Sequence, residues 1–380
     1  MSEKTTSLSA LPKAKGRDIG SGKDITLVKS QPVQLSLFRT FLNEDEETQN
    51  YSNTIELYDA VPKYFASKKQ MAELREAGQF LPSLKRDFRH RGREYSVKIT
   101  PARIEDKKNG GEREYYPSQR EELIEEALKK IACDQLNGVF LNEIAGVQFT
   151  LYELRKELAT RGHGIHLHDL VTSLQICRNS GIKITSTDGK NVLLDSSIFP
   201  VLVLSSRQEW EEDPKNTRCY VQFNPLITYS MKKLAYRQFD YVRFMNFSHQ
   251  LSRWLFKRLS HNYTQASLAD PYRIRLSTII RDSALVNNSR LRDQVRYLDL
   301  TIQELKEKQV ILTDQKKVIK GSRNKIQDVE YILTPHVHFI SQAKKANRRQ
   351  SLITEKGRQQ GLTPLEESNF QTALWDRSNR

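Results

Sequence analysis

Between residues 289 and 325 the chain concentrates side chains that suit a polyanion. A helix predicted from Ser289 to about Lys308 sets Leu291, Val295, Leu298, Ile302 and Leu305 in one apolar stripe, at about 100° per residue. Arg292, Asp293, Arg296 and Tyr297 fall on the other side, with Arg290 near its edge. The polar turn Asn287-Asn288-Ser289 comes first, with Ser289 as its N-cap, and a short helix beginning near Ser277 precedes the turn. In this order the N-terminal part of the second helix enters a major groove. There an arginine can donate twice to guanine O6 and N7, and Asp293 can orient an arginine or accept from cytosine. Lys316, Lys317, Lys320, Arg323 and Lys325 then fall within ten residues, in a polar turn between strands expected at 310–314 and 329–334. A wing this basic suits phosphate or minor-groove contact. A solvated, ion-paired helix face and an ordinary basic loop are the competing readings.

Other chemistry is hard to find in the sequence. Gly20-Ser21-Gly22-Lys23-Asp24 resembles a phosphate loop only superficially, because position 17 is not Gly and Asp24 replaces the Ser or Thr that holds magnesium. His163, His166 and His168 straddle a turn and a helix start without a fourth ligand, so no metal is expected. Cys133, Cys177 and Cys219 form no CxxC pair and read as small buried hydrophobes. No paired carboxylates or nucleophile set stands out. We expect a binding protein rather than an enzyme, with no cofactor.

The elements that carry the basic helix occur twice. Leu174 to Thr185 aligns without gaps to Ile302 to Thr313, with Leu174 on Ile302, Gln175 on Gln303, Ile182 on Val310, Ile184 on Leu312 and Thr185 on Thr313. In both copies a helical period gives way to alternation, so a helix passes into a strand. The first copy opens on a capping box, Thr150 with Glu153, followed by a face of Leu151, Leu154 and Leu158. The turn Thr160 to Gly164 ends that helix. A second helix from about 166 carries Leu170, Leu174 and Cys177, and strands follow at 182–187 and 191–195 around Asp188-Gly189. Helix, turn, helix and hairpin make a winged helix. The expected fold is therefore mainly α with small β-hairpins (α+β), as two tandem winged-helix domains between disordered tails. The helix at His166 has less positive charge, so a weaker, positioning contact is expected of it. The aromatic stretch Tyr236 to Phe247 reads as core where the two domains join.

A chain of 380 residues holds two such domains with tails, and its formal charge of +15, from 61 Lys and Arg against 46 Asp and Glu, suits nucleic acid or a membrane surface. No stretch approaches the roughly 18 apolar residues of a membrane span, and the N-terminus lacks the apolar core of a secretory signal. A cytoplasmic, nucleoid- or plasmid-associated protein is expected. The division is a disordered arm at 1–50, a first domain at 51–235, a second at 236–345 and a polar basic tail at 346–380. Within the arm, Gln34-Leu35-Ser36-Leu37-Phe38 places three large apolar side chains where no domain can bury them. They read as a docking peptide for an apolar pocket on a partner. The pentapeptide also resembles the peptide by which DNA polymerases and some replication initiators bind the bacterial sliding clamp.

The chain as a whole resembles the TrfA-type plasmid replication initiators over roughly residues 145–312. The resemblance rests on Phe149 to Leu154, Leu174 to Ser186, Tyr236 to Tyr263, Pro271 to Leu276, and the pentapeptide upstream. It implies two winged helices that bind direct repeats at a plasmid origin and help to melt an AT-rich segment. It implies recruitment of the replicative helicase or its loader, and of the sliding clamp through Gln34 to Phe38. It also implies monomer–dimer exchange, with the first winged helix in the dimer contact. The stretch after residue 340 has no counterpart in it. The alternative is a winged-helix transcriptional repressor or regulator with a disordered interaction arm.

Overall fold

The computed structural model describes residues 50–359 apart from 77–79, 106–110, 135–136, 142, 188–191, 206–211 and 214–215. The Gln34–Phe38 peptide and residues 360–380 lie outside the described residues. The first half runs β1 (Tyr51–Thr54), α1 (Glu56–Ala60), α2 (Lys68–Glu76), β2 (Leu84–His90), β3 (Arg93–Thr100), β4 (Ala102–Glu105), β5 (Glu112–Tyr115) and α3 (Gln119–Asp134). It continues β6 (Gly138–Leu141), β7 (Ile144–Phe149), α4 (Leu151–Thr160), α5 (Leu167–Asn179), β8 (Gly181–Ser186), β9 (Val192–Ser196), β10 (Leu202–Val203), β11 (Cys219–Gln222) and α6 (Pro225–Lys232). The second half is β12 (Arg237–Asp240), α7 (Tyr241–Met245), α8 (Gln250–Asn262), β13 (Tyr272–Arg275), α9 (Leu276–Ser283), α10 (Leu291–Glu307), β14 (Ile311–Lys320), β15 (Ile326–Pro335) and α11 (Val337–Gln359).

The architecture is mixed, with more sheet than the expected small hairpins. Among the described residues the strands form five antiparallel sheets, ordered β1-β12, β10-β11-β7-β6, β13-β15-β14, β2-β3-β8-β9 and β4-β5. In the second half, helix, strand, helix pair and hairpin follow one another, and β13 lies beside β15. The first half departs from this plan. Its hairpin β8–β9 forms, but β3 takes the other edge of β8, while β7 pairs with β6 and β11 instead. The added hairpin β2–β3 turns at Arg91-Gly92, both at positive φ (46° and 77°), as a two-residue turn of the primed type requires.

The two halves share one core. β1 pairs with β12 from Tyr51↔Asp240 to Thr54↔Arg237, and a single cluster of buried apolar residues extends from Ile55 to Ile353, across residue 235. Tyr236, Phe239, Tyr241, Phe244 and Phe247 lie in it, so the aromatic stretch is core. At its centre α3 is buried all round, charges included: Glu125, Glu126 and Lys129 are inside with Leu128 and Ile131. Those charges are paired across the halves. Lys257 on α8 sits 2.7 Å from Glu126 and 3.0 Å from Asp59 on α1, and Lys129 lies 2.7 Å from Glu126. Burial alone would raise the Asp59 carboxyl, but Lys129 and Lys257 hold it well below the usual carboxylate range. The fully buried Arg253 donates to Glu122 at 3.1 Å and to the Phe247 carbonyl at 2.8 Å. Buried ions that each find a partner in this way avoid the large cost of lone buried charge.

The tail expected to be disordered from residue 346 is helical to Gln359, as the second part of α11. The hairpin expected to turn over 316–325 has longer strands, and only residues 321–325 separate β14 from β15. Lys316, Lys317 and Lys320 therefore belong to a strand. No helix among the described residues is long and apolar enough to cross a membrane.

Candidate nucleic-acid interface

α10 is positioned by its apolar stripe. Leu298, Ile302 and Leu305 are buried, and Leu291 and Val295 pack partly buried against the same core. Its C-terminal half is anchored by Glu304, which accepts from the amides of Ser248 and His249. The opposite face is bare: Arg292, Arg296 and Leu300 are exposed at steps of four, which stacks them along one line of the helix. Among the described residues the guanidinium groups of Arg290, Arg292 and Arg296 enter no ion pair or hydrogen bond. Asn287, Asn288 and Ser289 are exposed in the turn before it.

Three expectations for this helix need correction. Ser289 is not its N-cap: the helix starts two residues later, with Arg290 at the cap position and no side-chain cap. Its first turn thus lacks the usual side-chain acceptor, and the Asp293 amide donates to the Arg290 carbonyl at 3.0 Å instead. Tyr297 packs partly buried against the core, and burial pushes its hydroxyl up. Asp293 is half-buried and pairs with none of the three arginines.

The hairpin is fastened to α10. Lys316 Nζ lies 2.6 Å from Asp299, and Lys306 lies 2.5 Å from Asp314. Tyr331, opposite Lys316, donates to Asp299 at 3.4 Å. Burial first, then the Asp299 charge, raises the Tyr331 hydroxyl well above its ordinary value, so it stays a neutral donor. Lys316 therefore braces the wing on the helix and is not a free phosphate ligand. Lys317, Lys320, Arg323 and Lys325 are exposed. Among the described residues β14 has β15 as its one neighbour, and lysines on such an edge also discourage pairing with another chain.

One positioning residue escaped sequence reasoning. Asp328 on β15 accepts from the amide and hydroxyl of Ser277, capping α9, whose own N-cap residue Arg275 offers no side chain. A cap delivered from fifty residues away leaves no local signal.

In the first half the capping box forms in both directions, Glu153 amide to Thr150 at 3.0 Å and Thr150 amide to Glu153 at 2.7 Å. α5 follows a turn through Gly162 at φ 81°, and Leu170, Leu174 and Cys177 are buried as expected. Its outer side is not bare. The hairpin β4–β5 packs there, with Ala102 and Ile104 clustered against Ile176. His166 and His168 stay exposed at its start. His163 turns inward, with a ring nitrogen 2.6 Å from the Met245 carbonyl.

A scan against protein-family models finds no match, and a search of curated proteins finds none. Among solved structures the chain is similar to the Pi initiator protein in complex with iteron DNA, at 13% identity over 57% of this chain and 91% of that one, with a TM-score of 0.39. It is also similar to domains 2 and 3 of RctB. One such structure, of the selenomethionine form, gives 12% identity over 67% and 91% of the two chains with a TM-score of 0.40. A second gives 11% over 71% and 94%, with a TM-score of 0.38. The likeness is loose in each case.

Proposed function

We propose that this chain is a double-stranded DNA-binding replication initiator of two winged-helix units, acting by binding rather than by catalysis. The observation that carries the reading is the bare line Arg292, Arg296 and Leu300 on a helix whose other face is buried, beside a braced, lysine-bearing wing. An exposed guanidinium with no internal partner is open to donate to a phosphate or a base edge. In this reading α10 lies in the major groove, Arg292 and Arg296 read guanines, and Lys317, Lys320, Arg323 and Lys325 contact phosphate. The first unit, with its second helix covered by β4–β5, positions the second and makes few base contacts. The resemblance to TrfA-type initiators adds binding of direct repeats at a plasmid origin, melting, and helicase recruitment.

Gln34 to Phe38 is the proposed contact with the sliding clamp. Changing Leu37 and Phe38 together to Ala should remove clamp binding and cost about 2 kcal/mol or more, with DNA binding intact. Undiminished clamp pull-down by the double variant sinks that part. The DNA reading is tested by footprinting the full chain on DNA flanking its own gene. Protected direct repeats are expected; an inverted repeat bound by a stable dimer points instead to a repressor, and no protection overturns the reading.

A further inference from the structure

The helix α11 follows the wing directly and has no part in the reading above. Phe339, Ala343, Ala346, Gln350, Ile353 and Gly357 recur at alternating steps of four and three, the spacing of a seam along one side of a helix. All but Gln350 are buried, and Gln350 donates to the Leu234 carbonyl at 2.8 Å. Gly357 lets the helix close on Leu234, whose side chain occupies the space a Cβ would need. Asn347, beside the seam, accepts from Arg237 at 2.6 Å and donates to the Thr264 carbonyl at 2.8 Å. The helix is therefore docked, and its outward face is fixed.

That face is cationic as far as Thr354, and Glu355 is the one acid exposed on it among the described residues. Lys344, Lys345, Arg348 and Arg358 are exposed there, and none forms an ion pair or hydrogen bond among the described residues. Arg349 and Lys356, on the flank, do interact within the molecule. No acidic residue occurs from Val337 to Thr354. Lys344 and Arg348 are one turn apart, where like charges oppose the helix; a face that only needed solvation would interleave acids. The buried seam is taken up by the body, and Val337 and Leu352, the large apolar side chains left exposed on the helix, are too few to enter a lipid surface. α11 and α10 also meet α8 at different places, Phe339 against Phe256 and Tyr263, Glu304 at the Ser248–His249 start. The two helices are thus anchored at opposite ends of α8.

We propose that the outward face of α11, centred on Lys344, Lys345 and Arg348, is a second nucleic-acid contact that grips the phosphate backbone outside the segment read by α10. The proposal rests on the DNA-binding reading and adds a sequence-independent grip to it. It is tested with the full chain on a random-sequence duplex over a series of KCl concentrations, by fluorescence anisotropy. Changing Lys344, Lys345 and Arg348 together to Gln should weaken binding at least tenfold at low salt and lower the log–log salt slope by about 0.9 per lost contact. Lys344→Glu should weaken DNA binding yet keep or raise the melting temperature, because Glu one turn before Arg348 makes a favourable pair. Lys317→Ala with Lys320→Ala serves as the wing control. If the wild type and the wing variant differ while both α11 variants match the wild type in affinity and slope, the α11 proposal falls and the DNA reading stands. If the wild type binds no duplex, both fall. A lower melting temperature for Lys344→Glu assigns that lysine to the fold and overturns the proposal as well.

Discussion

α5 and α10 grow from the same sequence pattern and end in different surroundings. Leu174 and Ile302 occupy matching core positions, 0% and 2% exposed, and each helix hands over to a strand through a buried residue, Ile182 or Val310. The difference lies outside the core. α5 has β4–β5 against its outer side, and its hairpin is widened by β3. Among the described residues α10 keeps a bare outer line, and β14 keeps a free edge. The aligned pair Ile184 and Leu312 registers the contrast at 2% and 48% exposure. A repeat in sequence thus specifies a shared inner face. What each copy leaves open is decided by what segments outside the repeat lay over its outer face.

The widest effect tests the shared core. Leu174→Ala and Ile302→Ala should each cost about 2–5 kcal/mol and shift one common unfolding transition in denaturant. Two separate transitions would break the picture of halves joined through β1–β12 and the paired charges of α3 and α8.

The seam where the β2–β3 hairpin meets α9 sharpens the comparison, since Arg89 there donates its amide to Asp282 at 3.1 Å. Neighbouring His90 is lowered by burial from 6.5 to about 4, despite Glu56 nearby. The folded state then holds His90 neutral while the unfolded chain takes up a proton below about pH 6.5. Stability should therefore fall as pH drops from 6.5 towards 4, by at most about 3 kcal/mol from this residue. His90→Gln should flatten that part of the stability–pH curve; an unchanged curve refutes the assignment.

On DNA, Arg292→Ala or Arg296→Ala should cost about 1–3 kcal/mol on the cognate repeat and much less on scrambled duplex. His168→Ala and Arg178→Ala on α5 should change the ratio of specific to random affinity little. If the α5 variants move that ratio and the α10 variants do not, the roles of the two helices are reversed. The smallest effect belongs to the wing. Lys317→Ala and Lys320→Ala should each lower the salt slope by about 0.9, and Lys316→Ala should lower it less because its ammonium is held by Asp299.

Much of the inner face was legible. The Thr150–Glu153 box, the buried residues of α5 and α10, the hairpin β8–β9 and the aromatic joint all follow from local spacing. What was hidden depends on distant partners. Lys316 looked free because Asp299 meets it only across the hairpin, and the cap of α9 comes from Asp328. Tyr297 sits at the flank of the α10 stripe, where spacing alone cannot separate surface from core. In β2–β3 the exposed positions carry so many Lys and Arg that the alternation of Phe88, Tyr95, Val97 and Ile99 is easily passed over. α11 hid its seam in small residues, Ala343, Ala346 and Gly357, which read as a polar tail until something packs on them.

The pairing of β1 with β12 also sets an order of events during synthesis. Tyr51 to Thr54 leave the ribosome long before Arg237 to Asp240 exist, and Glu122 and Glu126 on α3 must wait for Arg253 and Lys257 to complete their ion pairs. At about 5–20 residues per second the interval lasts roughly ten seconds or more. Throughout it the first half lacks β12, the partner of β1 among the described residues, and two of the cations that pair with α3. α11 closes on Leu234 only after translation has passed Gly357. A nascent chain of this design completes its core late, so a ribosome that stops short of the second half releases a product without a finished core.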